Sequence, residues 1–275
     1  MPVVAIIGAG PLGGALAHKL AARSRVSEIR LVDPADSIAR GKALDIVQSG
    51  PVENFSARLT ASGSLLSAVG ADVVVMADHA SGEEHAGEAA LSLVRQLRDA
   101  GLSAPIVFAG ATQRELMTRC AKELRLPANR LIGSAPMALA SALRAMVAVV
   151  LDASAVDVML NVVGVPPAKA VVAWQEATVS GQPLASVMGA HEIAAVSARL
   201  QGLWPPGPYA LGSAGARVAE AVCSGSRRQY SCFVDAGPGI AAMPVELQRG
   251  GIKRVIEPAL TTLERTALDT ALFGR

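Results

Sequence analysis

Charge is scarce in this 275-residue chain: Asp, Glu, Lys and Arg make up 17% of it, against 51% hydrophobic residues. That is enough apolar material for one large core or two modest ones, so a folded globular protein is expected. No basic stripe is present. The 25 Lys and Arg are scattered among 23 Asp and Glu for a net charge of +2, which excludes the electrostatic footprint of a nucleic-acid binder and points to a small ligand. Long uncharged runs are missing too. Arg144, Asp152 and Asp157 interrupt the most apolar region, and no run reaches the roughly 18 residues of a spanning helix, so no membrane partner is expected. No basic segment precedes the first apolar run, which enters glycines rather than a cleavage site, so a signal peptide is not expected. Cysteine is rare: Cys120, Cys223 and Cys232 read as buried, reduced thiols of a cytoplasmic protein. Nothing marks a metal site, and no internal repeat stands out.

What is present is an alternation. The runs VVAIIG (3–8), EIRLVD (28–33), RLTAS (58–62), ADVVVMA (71–77), PIVFAG (105–110) and RLIGSA (130–135) read as strands. Segments with apolar residues at helical spacing separate them, at 12–24, 36–48, 84–99, 113–124 and 137–150. Such βαβ grammar predicts an α/β fold, a Rossmann-type doubly wound parallel sheet of about six strands. From about residue 156 the grammar changes. VDVMLNVVG and AVVAWQEATVSGQPL read as strands, followed by helices near 187–200 and 208–224, strands at SCFVDAG and AAMPVEL, and a last helix near 255–272. The expected division is a dinucleotide-binding domain over 1–145 and a smaller α+β domain over 146–275. WPPGPYALG (204–212) reads as a loop entering a helix.

The most informative local pattern is Gly8, Gly10 and Gly13, with Pro11 and Leu12 between the last two. This G-x-G-x-x-G follows a predicted strand and opens a predicted helix. The first glycine permits the tight turn, the second lets a pyrophosphate approach the backbone, and the third seats the helix close to the sheet. The head of the helix then offers N–H groups to phosphate. Asp33 ends the second strand 20 residues after Gly13, where a carboxylate can accept hydrogen bonds from a ribose diol. Pro34, Ala35 and Asp36 supply no arginine for a 2′-phosphate, so NAD is expected over NADP. Asp78, in the same region, would repel a pyrophosphate unless solvated.

On AIIGAGPLGGALAHKL, on EIRLVDPADSIARGKALDIVQSGPVENFSARLT and on ADVVVMA at its distance, the chain resembles the malate/lactate dehydrogenase family. GKALDI followed by GPVENFSARLT is the more specific part. Weaker similarity runs through ELRLPANRLIGSA, VDVMLNVVG, SGQPL, PYALGSAGARVAEAV and GIKRVIEPAL, with an apparent shortening between about 183 and 206. The resemblance implies hydride transfer between nicotinamide and C2 of a hydroxy acid. It calls for a histidine held by an aspartate, an arginine clamping the substrate carboxylate and a second arginine on a mobile lid. It also implies a homo-oligomer, dimer or tetramer, paired through the helix that carries GKALDI and Asp45.

Aligned on this resemblance, the histidine position is Gly164, the aspartate and arginine positions are Leu139 and Ala142, and the lid positions are Gly82 and Glu88. Arg144 does not replace the clamp, because two residues along a helix turn a side chain about 200° away. The expected function is therefore an NAD-binding family member without 2-hydroxy-acid dehydrogenase activity. SGEE (81–84) and Thr112 with Glu115 read as two capping boxes. The alternative is an oxidoreductase on another substrate, using His79, Asp78 and Arg114, with His85 on a neighbouring loop. His18 and His191 read as surface residues, Lys169 as a solvated strand end, and Trp204 and Tyr209 as packing anchors.

Overall fold

The computed structural model describes residues 2–274. Its first half runs β1 (Val3–Ile7), α1 (Pro11–Arg23), β2 (Glu28–Val32), α2 (Asp36–Glu53), β3 (Arg58–Ser62), β4 (Val73–Met76), α3 (Gly87–Asp99), β5 (Ile106–Phe108), α4 (Arg114–Lys122), β6 (Leu131–Gly133) and α5 (Ala135–Leu151). The six strands form one parallel array in the order β3-β2-β1-β4-β5-β6. The segments VVVM of β4 and IVF of β5 are buried throughout, as strands covered by helices on both faces must be. Strand order reverses between β1 and β4, so the segments following those two strands meet over the carboxyl edge of the sheet. That crevice is where ligands of open α/β sheets bind.

The second half runs β7 (Val158–Met159), β8 (Val162–Val165), β9 (Lys169–Val172), β10 (Thr178–Val179), β11 (Gln182–Pro183), α6 (Ala190–Ala198), α7 (Pro208–Ser224), β12 (Gln229–Asp235), β13 (Ile240–Gln248), β14 (Gly251–Val255) and α8 (Thr262–Phe273). VDVMLNVVG does not form one strand. Its ends belong to two sheets, β7 with β10 and β11, and β8 with β9 and β13. The last helix starts at Thr262, not near 255, because 251–255 pair with β13 as a hairpin strand. Gly250 and Gly251 make that turn at φ +87° and +138°, a region open to glycine.

The two halves share structure. Antiparallel β12 joins β6 through the pair Phe233↔Gly133, which continues the sheet into β12-β13-β8-β9. The expected boundary at 145/146 lies inside α5, which is unbroken from Ala135 to Leu151. α7 lies against α1, where a Cβ on Gly212 would stand 3.0 Å from the Ala15 Cβ and from the Leu16 nitrogen; a larger residue would push the helices apart. The main core joins β1, β4 and α1 to α7, β12 and β13, and a smaller one gathers Leu139, Leu143 and Val147 with Val158, Val162, Leu184 and Val196. No helix among the described residues is long and apolar enough to cross a membrane.

Leu16 is fully buried where α1, α7 and the sheet meet. Leu16→Ala is expected to lower the unfolding free energy by about 3 kcal/mol, the ordinary cost of a leucine-sized cavity; urea denaturation followed by circular dichroism measures it.

Candidate functional site

The glycine turn forms as its spacing predicts. Gly8 has φ +111° and donates to the Val32 carbonyl at 2.7 Å. A Cβ on Gly13 would run into the Gly8 carbonyl, so the third glycine seats α1 on the turn. Pro11 opens the helix at its first position, where a missing N–H costs nothing. The head of α1 thus presents the N–H groups of Leu12 and Gly13 to the crevice.

Those N–H groups are already engaged. Asp78, two residues beyond β4, accepts from Leu12 N on Oδ2 at 2.9 Å and from Gly13 N on Oδ1 at 2.8 Å. Its carbonyl accepts from Gly10 N at 3.1 Å. A Cβ on Gly10 would collide with the Asp78 carboxylate and the His79 carbonyl, so the second glycine makes room for this segment of the chain itself. Asp78 is 3% exposed. Burial lifts its pKa above the ordinary carboxylate value, opposed by the Leu12 and Gly13 hydrogen bonds and by Lys42. The Lys42 ammonium donates to the Gly10 carbonyl at 2.8 Å.

Asp33 is also turned inward. Its Oδ2 accepts from Ala9 N at 2.9 Å and Ala80 N at 3.0 Å, and its Oδ1 from Ala35 N at 2.8 Å. At 3% exposure it braces the turn through these three backbone N–H groups.

Residues 78–85 cross the crevice as a strap. His79 N donates to Glu83 O at 2.8 Å, Gly82 N to His79 O at 2.7 Å, and Asp78 bridges Glu84 antiparallel. The Glu84 carboxylate reaches the loop after β5, accepting from Ala111 N and Thr112 N, each at 2.8 Å, and from the Thr112 hydroxyl at 2.6 Å. Neither expected capping box forms, because Glu84 and Thr112 bond each other. α3 starts at Gly87 and α4 at Arg114. Gln113, unread in the sequence, is buried and ties the layers together: its amide donates to Ala77 O at 2.9 Å and its oxygen accepts from Gly110 N at 3.0 Å.

The rings of His79 and His85 lie against each other, tilted by 55°, with centroids 3.8 Å apart. His85 is 1% exposed, and neither ring nitrogen has a hydrogen-bond partner among the described residues. Burial first, then neighbouring His79, pushes its pKa down to about 4, against the pull of Asp33. Arg114 points elsewhere and donates to Ile240 O at 3.2 Å. With Asp78 held by α1 and Arg114 by β13, no hydrogen bond joins Asp78, His79 and Arg114 among the described residues.

Gly164 lies in β8 at φ +87°, and a Cβ there would run into the Lys169 carbonyl oxygen. Leu139 is fully buried in the smaller core. Ala142 follows one turn further along α5. Arg144 donates to the carbonyls of Ala155 and Val156 at 3.0 and 3.2 Å, away from the crevice. Gly82 occupies the strap's turn, and Glu88 pairs with Arg119 at 2.6 Å. Among the other residues singled out, Trp204 packs edge-on to Phe233, whereas Tyr209 stands exposed in the first turn of α7 and is no anchor. His18 sits beside Glu53 at 3.8 Å, and His191, Lys169 and Asp45 are exposed. The three thiols are free and buried; burial raises Cys120 and Cys223 to about 12 and Cys232 further.

Residues 3–99, which carry the glycine turn and the strap, match the lactate/malate dehydrogenase NAD binding domain. A malate dehydrogenase of Thermomicrobium roseum is 31% identical, over 96% of this chain and 93% of that protein. The chain belongs to the lactate/malate dehydrogenase family. Its fold agrees with that of the malate dehydrogenase from Salinibacter ruber, at a TM-score of 0.87 and 27% identity over 99% of this chain and 94% of that one. The lactate dehydrogenase from Cryptosporidium parvum complexed with lactic acid and NAD superimposes with a TM-score of 0.86 at 20% identity, over 99% of this chain and 95% of that one.

Residues 3–99 thus correspond to the family's NAD binding domain, and their donor set, a glycine turn with N–H groups at a helix head, suits a pyrophosphate. In the arrangement described here the fit fails. The Asp78 carboxylate takes the N–H groups of Leu12 and Gly13, and Asp33 takes that of Ala9.

The histidine sets a pH dependence. Its folded pKa of about 4 lies below the ordinary 6.5, so the stability that comes from burying neutral His85 is complete above about pH 6.5 and is lost as pH falls toward 4. His85→Leu is expected to lose less stability than the parent over that window, by on the order of 3 kcal/mol. Urea titrations of both proteins at a series of pH values measure the difference.

Proposed function

We propose that this chain is an NAD-type member of the lactate/malate dehydrogenase family that does not turn over 2-hydroxy acids, a binding protein rather than a catalyst. The observation that carries the reading is the backbone at Gly164. Where the family resemblance calls for the proton-transferring histidine, the chain adopts a left-handed conformation, and the Lys169 carbonyl fills the space of a Cβ. An imidazole there would need β8 and β9 to separate. Leu139 supports the same reading, because a carboxylate in its place would be buried among aliphatic side chains without a partner. Ala142 and Gly82 offer no guanidinium for a substrate carboxylate, and the lid position Glu88 adds negative charge.

Gly8, Gly10, Pro11, Leu12, Gly13 and Asp33 are the residues proposed to receive the dinucleotide, with NAD(H) as the small-molecule partner. Oxaloacetate and pyruvate are expected to give no loss of NADH absorbance above background at any pH from about 6 to 9. Gly164→His is expected to restore nothing, because groups that act as one catalytic unit contribute non-additively. Robust turnover by the unmodified protein would overturn the reading.

The protein is further proposed to be a homo-oligomer paired through α2. That helix leaves Ile38, Leu44, Val47 and Val52 exposed on its outer half, with Leu44 and Val47 one turn apart, apolar surface that suits burial against a second copy. Light scattering at micromolar concentration is expected to give a multiple of 28.0 kDa; a monomer mass would refute the pairing.

A further inference from the structure

The failed fit at the glycine turn is itself a device. A tethered carboxylate bound through both oxygens to the N–H groups of Leu12 and Gly13 meets the same need that a phosphate would meet there: two acceptors and a negative charge at a helix head. We propose that Asp78 is a built-in competitor for the pyrophosphate seat, and that residues 78–85 are a strap which keeps the NAD site closed until it is displaced.

The strap is tied at four places. Asp78 binds the head of α1, Ala80 N donates to Asp33, Glu84 binds the loop at 111–112, and the His85 carbonyl accepts from the Gln113 amide at 3.4 Å. A group already on the chain loses little freedom on binding, so it outcompetes a dissolved anion of similar chemistry. A dinucleotide entering beside a strap still in place would also bring its pyrophosphate against the carboxylates of Asp78 and Asp33. Displacement has a route. Gly82 and Gly87 lie in and just after the strap at φ +93° and +63°. A Cβ on Gly87 would meet nothing within 4 Å and one on Gly82 only the Pro11 Cδ at 3.8 Å, so neither is held by packing. Lifting the strap returns Asp78 to water. The measured affinity for NAD(H) is then the intrinsic affinity multiplied by the fraction of molecules with the strap open. This inference concerns binding alone and stands or falls separately from the absence of turnover.

The test is NADH binding by calorimetry to the full chain and to Asp78→Ala and Glu84→Ala. Asp78→Ala is expected to bind about tenfold to a hundredfold more tightly than the parent, because two charge-assisted hydrogen bonds no longer oppose entry. Glu84→Ala, which removes one tie at the far end of the strap and leaves Asp78 in place, is expected to bind more tightly by a smaller factor. Hydrogen exchange is expected to show the amides of 78–85 losing protection when NADH is added to the parent. If Asp78→Ala does not fold, as judged by circular dichroism, the Glu84→Ala affinity and the exchange pattern decide. Parent affinity equal to or tighter than that of the folded variants, or NADH binding with 78–85 still protected, overturns the proposal.

Discussion

The first N–H groups of a helix have no partner within it, and at the head of α1 those of Leu12 and Gly13 meet a carboxylate from the segment after β4. The rest of the crevice depends on that pairing. It fixes the end of β4 over the glycine turn, which requires glycine at positions 8 and 10 because Asp78 and His79 occupy the space of their side chains. It also places Ala80 over Asp33 and Glu84 over the loop after β5. Each carboxylate is satisfied by backbone N–H groups, so the burial of Asp33 and Asp78 is tolerable, whereas the His85 ring nitrogens are buried without a hydrogen-bond partner among the described residues.

Away from the crevice, the positions that the family resemblance marks for chemistry are filled by packing. Leu139 lies in the smaller core, and Gly164 lets β8 and β9 close on each other; Arg144, near the arginine position, ties α5 to the carbonyls of Ala155 and Val156 instead. The glycines of α7 bring it onto α1, so the second half buttresses the helix whose head carries the turn.

Local pattern was legible where one segment alone decides its structure. The buried runs of β1, β4 and β5, the glycine turn and the helices α1 and α7 follow from periodicity and punctuation. Asp78 was legible as a charge out of place, a carboxylate at the carboxyl end of a buried strand. Its partners were not, because Leu12 and Gly13 lie more than sixty residues earlier. The capping boxes at Ser81 and Thr112 failed for the same reason: each is a local solution, and here Glu84 and Thr112 found each other instead. The hairpin strand after Gly251 went unread because its pairing exists only once β13 is in place.

By itself the sequence determined the class of fold, the glycine turn and the family, since these rest on spacing and on strand and helix periods that short stretches express without help. Only the tertiary structure decided what the turn faces. Whether Asp78 and Asp33 point to water or to backbone, and whether a side chain can exist at 164, depend on which distant N–H and carbonyl groups the topological switch brings within hydrogen-bond reach. Burial then makes those pairings strong, because a charge excluded from water must take whatever donors the fold supplies.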